Sequence, residues 1–254
     1  MTMSEQQRPL NLGHRGARGL APENTLAGIR AGVAAGVDGF EFDVQRTRDG
    51  QLVVFHDDDL QRIAGVAGSV VTSTLAQLRE LDMGSHFGPQ FRGELMPTLD
   101  EWIETAPADC FLNIEAKRTP YGNDGLEAVL VAAVQRHNLY ERCLVSSFNV
   151  AALWRMARLD RRLPLGLLYA PDMLPGLNWG WPRFFLRLVA LNPYYEQVTP
   201  KLVRREHAHG RQVNTWTVND PAEMRRLVAL GIDGIITDRP DLLTAVLQEP
   251  EIKA

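Results

Sequence analysis

Eight short apolar runs recur along this chain with helical patterns between most of them, and that alternation limits the fold more than any other feature. The runs are Leu10 to His14, the stretch from Phe40, Phe111 to Lys117, Cys143 to Ser147, Leu165 to Tyr169, Leu188 to Asn192, Val213 to Val218 and Gly234 to Thr237. Gly125 to His137, Val150 to Arg158 and Pro221 to Leu230 carry the apolar spacing of helices. Strands and helices in alternation build a parallel sheet, and eight strands favour closure into a (β/α)₈ barrel over an open sheet. In the first unit, a Gly-rich loop and Pro22-Glu23-Asn24-Thr25 follow His14. Asn24 or Thr25 can cap a helix whose Leu26, Ile29, Val33 and Val37 share a face. A chain of 254 residues, 45% hydrophobic, is large enough for one such domain, expected over residues 8–250.

The alternation fails between His56 and Phe111. Two short helices are expected there, since Thr74 with Gln77 and Thr98 with Glu101 have the spacing of capping boxes. The interval is too long for a plain loop, and a small insertion subdomain over the barrel mouth, residues 57–110, is expected. Just before it, Asp49-Gly50 lies between two apolar runs and predicts a hairpin. Pairing residues whose numbers sum to about 99 brings His56 back beside Asp43.

In a barrel of this kind the polar residues at the C-terminal strand ends converge on one mouth. Here those are His14, Arg15, Glu41, Asp43, Glu115, Lys117 and Trp216. Alternation puts Glu41 and Asp43 on one side of their strand, with Phe40, Phe42 and Val44 behind; it likewise separates Asn113, Glu115 and Lys117 from Leu112, Ile114 and Ala116. A polar side on a buried parallel strand is costly unless it is paired or binds a metal. Three carboxylates brought together would repel, and at least one would keep its proton unless a cation sat between them. Hard oxygen donors without nearby cysteine favour Mg²⁺, Ca²⁺ or Mn²⁺ over zinc. His14 and His56 could also be ligands, but two imidazoles on opposite sides of a site suit proton donation and acceptance, the reading preferred here. Three carboxylates and one divalent cation leave a charge of about −1, which Arg15 and Lys117 turn to about +1, matching a monoanionic phosphodiester. The simpler alternative is that both cations only pair with the carboxylates.

The ordered set His14-Arg15-Gly16, Pro22-Glu23-Asn24-Thr25, Glu41-Phe42-Asp43-Val44, Val54-Phe55-His56-Asp57, Pro97-Thr98-Leu99, Asn113-Ile114-Glu115-Ala116-Lys117 and Asn214-Thr215-Trp216-Thr217-Val218-Asn219 resembles the glycerophosphodiester phosphodiesterase family over nearly the whole chain. The resemblance implies a TIM barrel with a small insertion and a divalent metal on Glu41, Asp43 and Glu115. It further implies a catalytic pair His14 and His56, phosphate contacts from Arg15 and Lys117, and a substrate-facing Trp216. The implied reaction is hydrolysis of a glycerophosphodiester to sn-glycerol 3-phosphate and an alcohol. Alternatives are a lyase-like relative releasing a cyclic phosphate from a lysolipid, and a silent barrel that only binds phosphodiesters.

A net charge of −4 gives no reason to expect nucleic acid or an anionic membrane as the main partner. Residues Met1 to Arg8 lack the apolar core of a signal peptide, and the apolar stretch Trp179 to Tyr195 is broken by Pro182, Arg183, Arg187 and Pro193, so a cytoplasmic protein without membrane insertion is expected. Cys110 and Cys143, without CxxC spacing, fit buried free thiols. His86, His137, His207 and His209 are expected on a solvated surface. Trp179, Trp181, Phe184 and Phe185 are expected in the core or on a helix packed on the barrel, with lining the mouth and gripping an alcohol group or a lipid surface as the alternative. The oligomeric state is left open.

Overall fold

Backbone pairing closes the sheet on itself. A computed structural model describes residues 8–117 and 124–250. In chain order the elements are β1 (Leu10–His14), α1 (Leu26–Ala34), β2 (Gly39–Arg46), β3 (Leu52–Val54), α2 (Gln61–Ala64), α3 (Leu75–Leu78), α4 (Leu99–Thr105) and β4 (Phe111–Ala116). They continue as α5 (Leu126–Arg136), β5 (Cys143–Ser147), α6 (Val150–Leu159), β6 (Leu165–Tyr169), β7 (Ala190–Pro193), α7 (Pro200–Ala208), β8 (Gln212–Thr215), α8 (Pro221–Ala229), β9 (Gly234–Thr237) and α9 (Pro240–Leu247). Eight strands run parallel in the order β1-β9-β8-β7-β6-β5-β4-β2, and β2 returns to β1, which completes the barrel. The ninth strand, β3, pairs antiparallel with β2 outside that ring.

Local chemistry explains the main elements. The Thr25 hydroxyl accepts from the Gly28 amide at 3.2 Å and donates to the Pro22 carbonyl at 2.7 Å, which starts α1. Capping boxes at Thr74 and Thr98 start α3 and α4 as their spacing predicts. Along β2 and β4 the outward residues Phe40, Phe42, Leu112, Ile114 and Ala116 enter the main core together with Trp102 of α4. The Trp102 ring stacks at a tilt on Phe42, centroids 4.7 Å apart, and meets Phe40 edge-on at 6.3 Å. Between β3 and α4 a second cluster of Phe55, Leu60, Ile63, Val70, Leu78 and Met83 packs with Val53 and Met96.

Four expectations are corrected. The hairpin pairs Val44 with Val54 and Arg46 with Leu52, a sum of 98, so Asp43 stands opposite Phe55, whose amide donates to the Asp43 carbonyl at 3.0 Å. In this register Val54 packs in the main core while Val53 and Phe55 pack in the second cluster. Val33 is exposed, because α1 contacts the barrel through Ala27, Gly28, Ile29 and Gly32. The aromatic residues between β6 and β7 do not join the core either. Pro175, Gly176, Gly180 and Pro182 break that segment into short 3₁₀ turns instead of a helix, and its four large rings face outward. His137 is half-buried against Asp100, its Nε2 2.7 Å from the carboxylate.

Candidate active site

Strand register assembles the mouth. His14 of β1 is level with Glu41 of β2, Glu41 with Asn113 of β4, and Asp43 with Glu115. The chain then turns sharply after His14, with Arg15 at φ 50° and Gly16 at φ 90°. A Cβ on Gly13 would fall 1.9 Å from the Gly16 carbonyl oxygen, so this approach of loop to strand requires glycine. The turn brings the Arg15 amide 3.3 Å from Glu41 Oε2 and its Nε 3.4 Å from Asp43 Oδ2. Asn24, also left-handed at φ 56°, donates to Asp43 Oδ2 at 3.0 Å. Two non-glycine residues held at positive φ around one carboxylate mark this loop as shaped for its site rather than for local stability.

Glu41, Asp43 and Glu115 are all buried, and one oxygen from each lies within 4.8 Å of the others. The three are not shifted alike. Burial, then the charges of Asp43 and Glu115, push Glu41 well above the usual carboxylate range. Glu115 is also raised by burial, although Lys117 opposes it. Asp43, despite its burial, is held far below the usual range by Lys117 and Arg15. Lys117 Nζ stands 3.1 Å from Glu115 and 3.4 Å from Asp43. This distribution is what a crowd of carboxylates adopts when its counter-charge comes from neighbouring side chains alone. A group of buried oxygen donors that must otherwise retain protons is chemically suited to a hard divalent cation.

Each histidine has its own carboxylate. His14 Nδ1 is 2.6 Å from Asp238 Oδ1 and its Nε2 is 3.7 Å from Glu41 Oε2. A carboxylate only accepts, so Nδ1 carries the hydrogen, and in the neutral ring the lone pair of Nε2 faces the cluster. Asn219 donates to the other Asp238 oxygen at 2.8 Å. His56, partly exposed, places Nδ1 2.7 Å from Asp57 Oδ1 and acts electrostatically on Asp43 and Glu115. Arg62 then joins Asp57 to Glu23 through paired hydrogen bonds, and Glu23 accepts from Arg15 Nη1 at 2.8 Å. The Trp216 ring meets Phe148 and Tyr194 edge-on at 5.4 and 5.5 Å, and its Nε1 donates to the Asn192 carbonyl. Every residue singled out at the mouth is therefore at the mouth. Sequence reasoning missed Asp238 and Arg62, and gave Glu23, Asp57 and Asn219 no role. Asp238 directly follows β9, so the rule that drew attention to His14 and Glu41 could have found it; Arg62 reaches in from α2, where no strand-end rule applies.

The model of the glycerophosphoryl diester phosphodiesterase family matches residues 14–242, from His14 to beyond Asp238. The chain belongs to this family. Among its relatives, the glycerophosphodiester phosphodiesterase of Caldanaerobacter subterraneus is 37% identical over 245 residues, covering 95% of this chain and 99% of that protein. The glycerophosphodiester phosphodiesterase of Bacillus subtilis is 32% identical, covering 94% and 86%. A solved phosphodiesterase from Oleispira antarctica, in complex with its product sn-glycerol-3-phosphate, superposes with a TM-score of 0.81 at 31% identity, over 95% of this chain and 98% of that one. As a member of the family, the chain is a phosphoric diester hydrolase on a TIM barrel, with an acidic triad able to bind a metal.

Proposed function

We propose that this phosphodiesterase hydrolyses glycerophosphodiesters to sn-glycerol 3-phosphate and a free alcohol, with His14 and His56 moving the protons. What supports the proposal is that His14 stands beside the carboxylate cluster and that His14 and His56 are each held at Nδ1 by an aspartate. Glu41, Asp43 and Glu115 would hold Mg²⁺ or Ca²⁺, with Mn²⁺ also suited to their oxygens, and the bound ion would withdraw charge from the phosphate and acidify a hydroxyl. Arg15 and Lys117, facing those carboxylates here, bind the phosphate oxygens. Trp216 borders the substrate at the aromatic side of the mouth.

The glycerol half of the substrate carries a hydroxyl beside the phosphorylated carbon. Tethered there, it outcompetes a water by effective concentration. One imidazole takes its proton as its oxygen attacks phosphorus, and the other protonates the alcohol oxygen as that P–O bond breaks. Water then opens the cyclic phosphate with the two roles exchanged. Incubation with glycerophosphocholine should release glycerol 3-phosphate. An analogue lacking the 2-hydroxyl should compete for binding yet remain almost uncleaved; turnover of that analogue near the parent rate would assign the attack to water instead.

We take residues 57–110 as an insertion on a single domain over residues 8–250, a reading supported by the separate apolar cluster beneath them. A cytoplasmic location suits Cys110 and Cys143, both buried free thiols. Among the described residues no helix is long and apolar enough to cross a membrane.

A further inference from the structure

We propose that the face formed by the β6–β7 segment and the outer side of α6 is a docking surface for an anionic phospholipid bilayer. Leu174, Trp179, Trp181, Phe184 and Phe185 are each between 60 and 72% exposed, and Trp154, Leu159 and Val189 are exposed as well. Single exposed apolar residues are ordinary, whereas a cluster of this size marks a binding surface. The core does not require these rings, because Leu186 and Leu188 of the same segment already turn inward to cover the barrel.

The patch is continuous. Trp181 meets Phe185 edge-on at 6.4 Å, the Arg183 guanidinium lies 4.5 Å over Phe184, and Arg183 also donates to the Trp179 carbonyl. Phe185 and Arg187 share a cavity of about 410 Å³ with Trp154 and Arg158. At the other end Trp179 and Arg183 line a second cavity of about 430 Å³ with Lys201 and Arg205 of α7. The segment leaves β6 at the mouth and enters β7 at the opposite end of the barrel, so the patch starts beside the active site and runs down its flank.

Charge selects the occupant. Residues 154–189 contain six arginines and two aspartates in a chain whose net charge is −4. Arg155 and Arg162 are paired with Glu127 and Asp160, but Arg158, Arg161 and Arg187 have no carboxylate partner among the described residues. Nearby, the single buried Glu206 is shared by Arg183, Arg205 and Arg211. Self-association through a two-fold axis would set this positive cluster against its own copy. A bilayer bearing anionic headgroups complements it, with tryptophan and phenylalanine at headgroup depth and arginines reaching the lipid phosphates. The contact is peripheral, which agrees with the lack of a membrane-spanning helix among the described residues.

Cosedimentation with vesicles of phosphatidylcholine plus phosphatidylglycerol, against phosphatidylcholine alone, tests the proposal. The protein should partition onto the anionic vesicles, with a blue shift of tryptophan emission, and added salt should release it. Trp181→Ser with Phe184→Ser, and separately Arg158→Gln with Arg187→Gln, should each lower the partition coefficient about tenfold or more. Both double variants should hydrolyse soluble glycerophosphocholine as the parent does. The proposal is overturned if the parent stays unbound, if either variant binds undiminished, or if the face proves to be a dimer interface, seen as concentration-dependent dimerisation that Trp181→Ser with Phe184→Ser abolishes.

Discussion

Two histidines and their aspartates decide how the site works. Replacing His14 or His56 by Ala should lower kcat by about 10²-fold or more, the scale of a lost general acid or base, with metal affinity by calorimetry nearly unchanged. If His56→Ala instead loses the metal, His56 is a ligand. Asp238→Asn keeps the shape but no longer holds Nδ1–H with a charge, so kcat should fall about tenfold or more while KM changes little. Glu23 reports on the surrounding ion network. Burial would raise it, but hydrogen bonds from Arg62 and the charge of Arg15 lower it from 4.5 to about 2. A folded-state value below the unfolded one stabilises above the unfolded value, and that stabilisation is lost as pH falls through the folded one. The stability advantage over Glu23→Gln in urea unfolding should therefore shrink between pH 4.5 and 2; a constant difference would show that the ion network contributes nothing. Residues on strand ends were readable because alternation fixes their side. Arg62 was not, since its approach depends on how α2 folds over the mouth.

The β2–β3 hairpin and α4 are the elements on which the carboxylate geometry rests. Asp49-Gly50 announced the hairpin, but the turn does not distinguish a sum of 98 from 99; the observed pairing has 98, with Val54 in the main core and Val53 and Phe55 in the second cluster. Behind Glu41 and Asp43, the fully buried Trp102 holds Phe40 and Phe42 in place. Trp102→Ala should cost about 3–5 kcal/mol in urea denaturation, as expected for an aromatic deleted from a core. A loss below about 1 kcal/mol would mean that α4 does not support β2. The β6–β7 segment shows where element-level reading fails: its aromatic residues suggest core or a helix packed on the barrel, whereas Pro and Gly break it into 3₁₀ turns whose rings are exposed.

Across the whole molecule, eight strands in alternation with helices sufficed to read the barrel, because parallel strands need helices over their outer face and eight of them favour closure over an open sheet. Closure also explains why residues as far apart in sequence as His14, Glu115 and Asp238 meet at one mouth. What the pattern could not show is protonation, which follows from distances between side chains. Burial and mutual repulsion raise Glu41 and Glu115 above the usual carboxylate range while Lys117 and Arg15 supply counter-charge, the condition that a divalent cation relieves. The most direct measurement is release of sn-glycerol 3-phosphate from glycerophosphocholine by enzyme stripped with a chelator, before and after Mg²⁺, Ca²⁺ or Mn²⁺ is restored. Release should be abolished by stripping and return with at least one of these ions in the parent, but not in Glu41→Gln, Asp43→Asn or Glu115→Gln at matched concentration. Full release by the stripped enzyme would contradict the assignment of the three carboxylates to a metal.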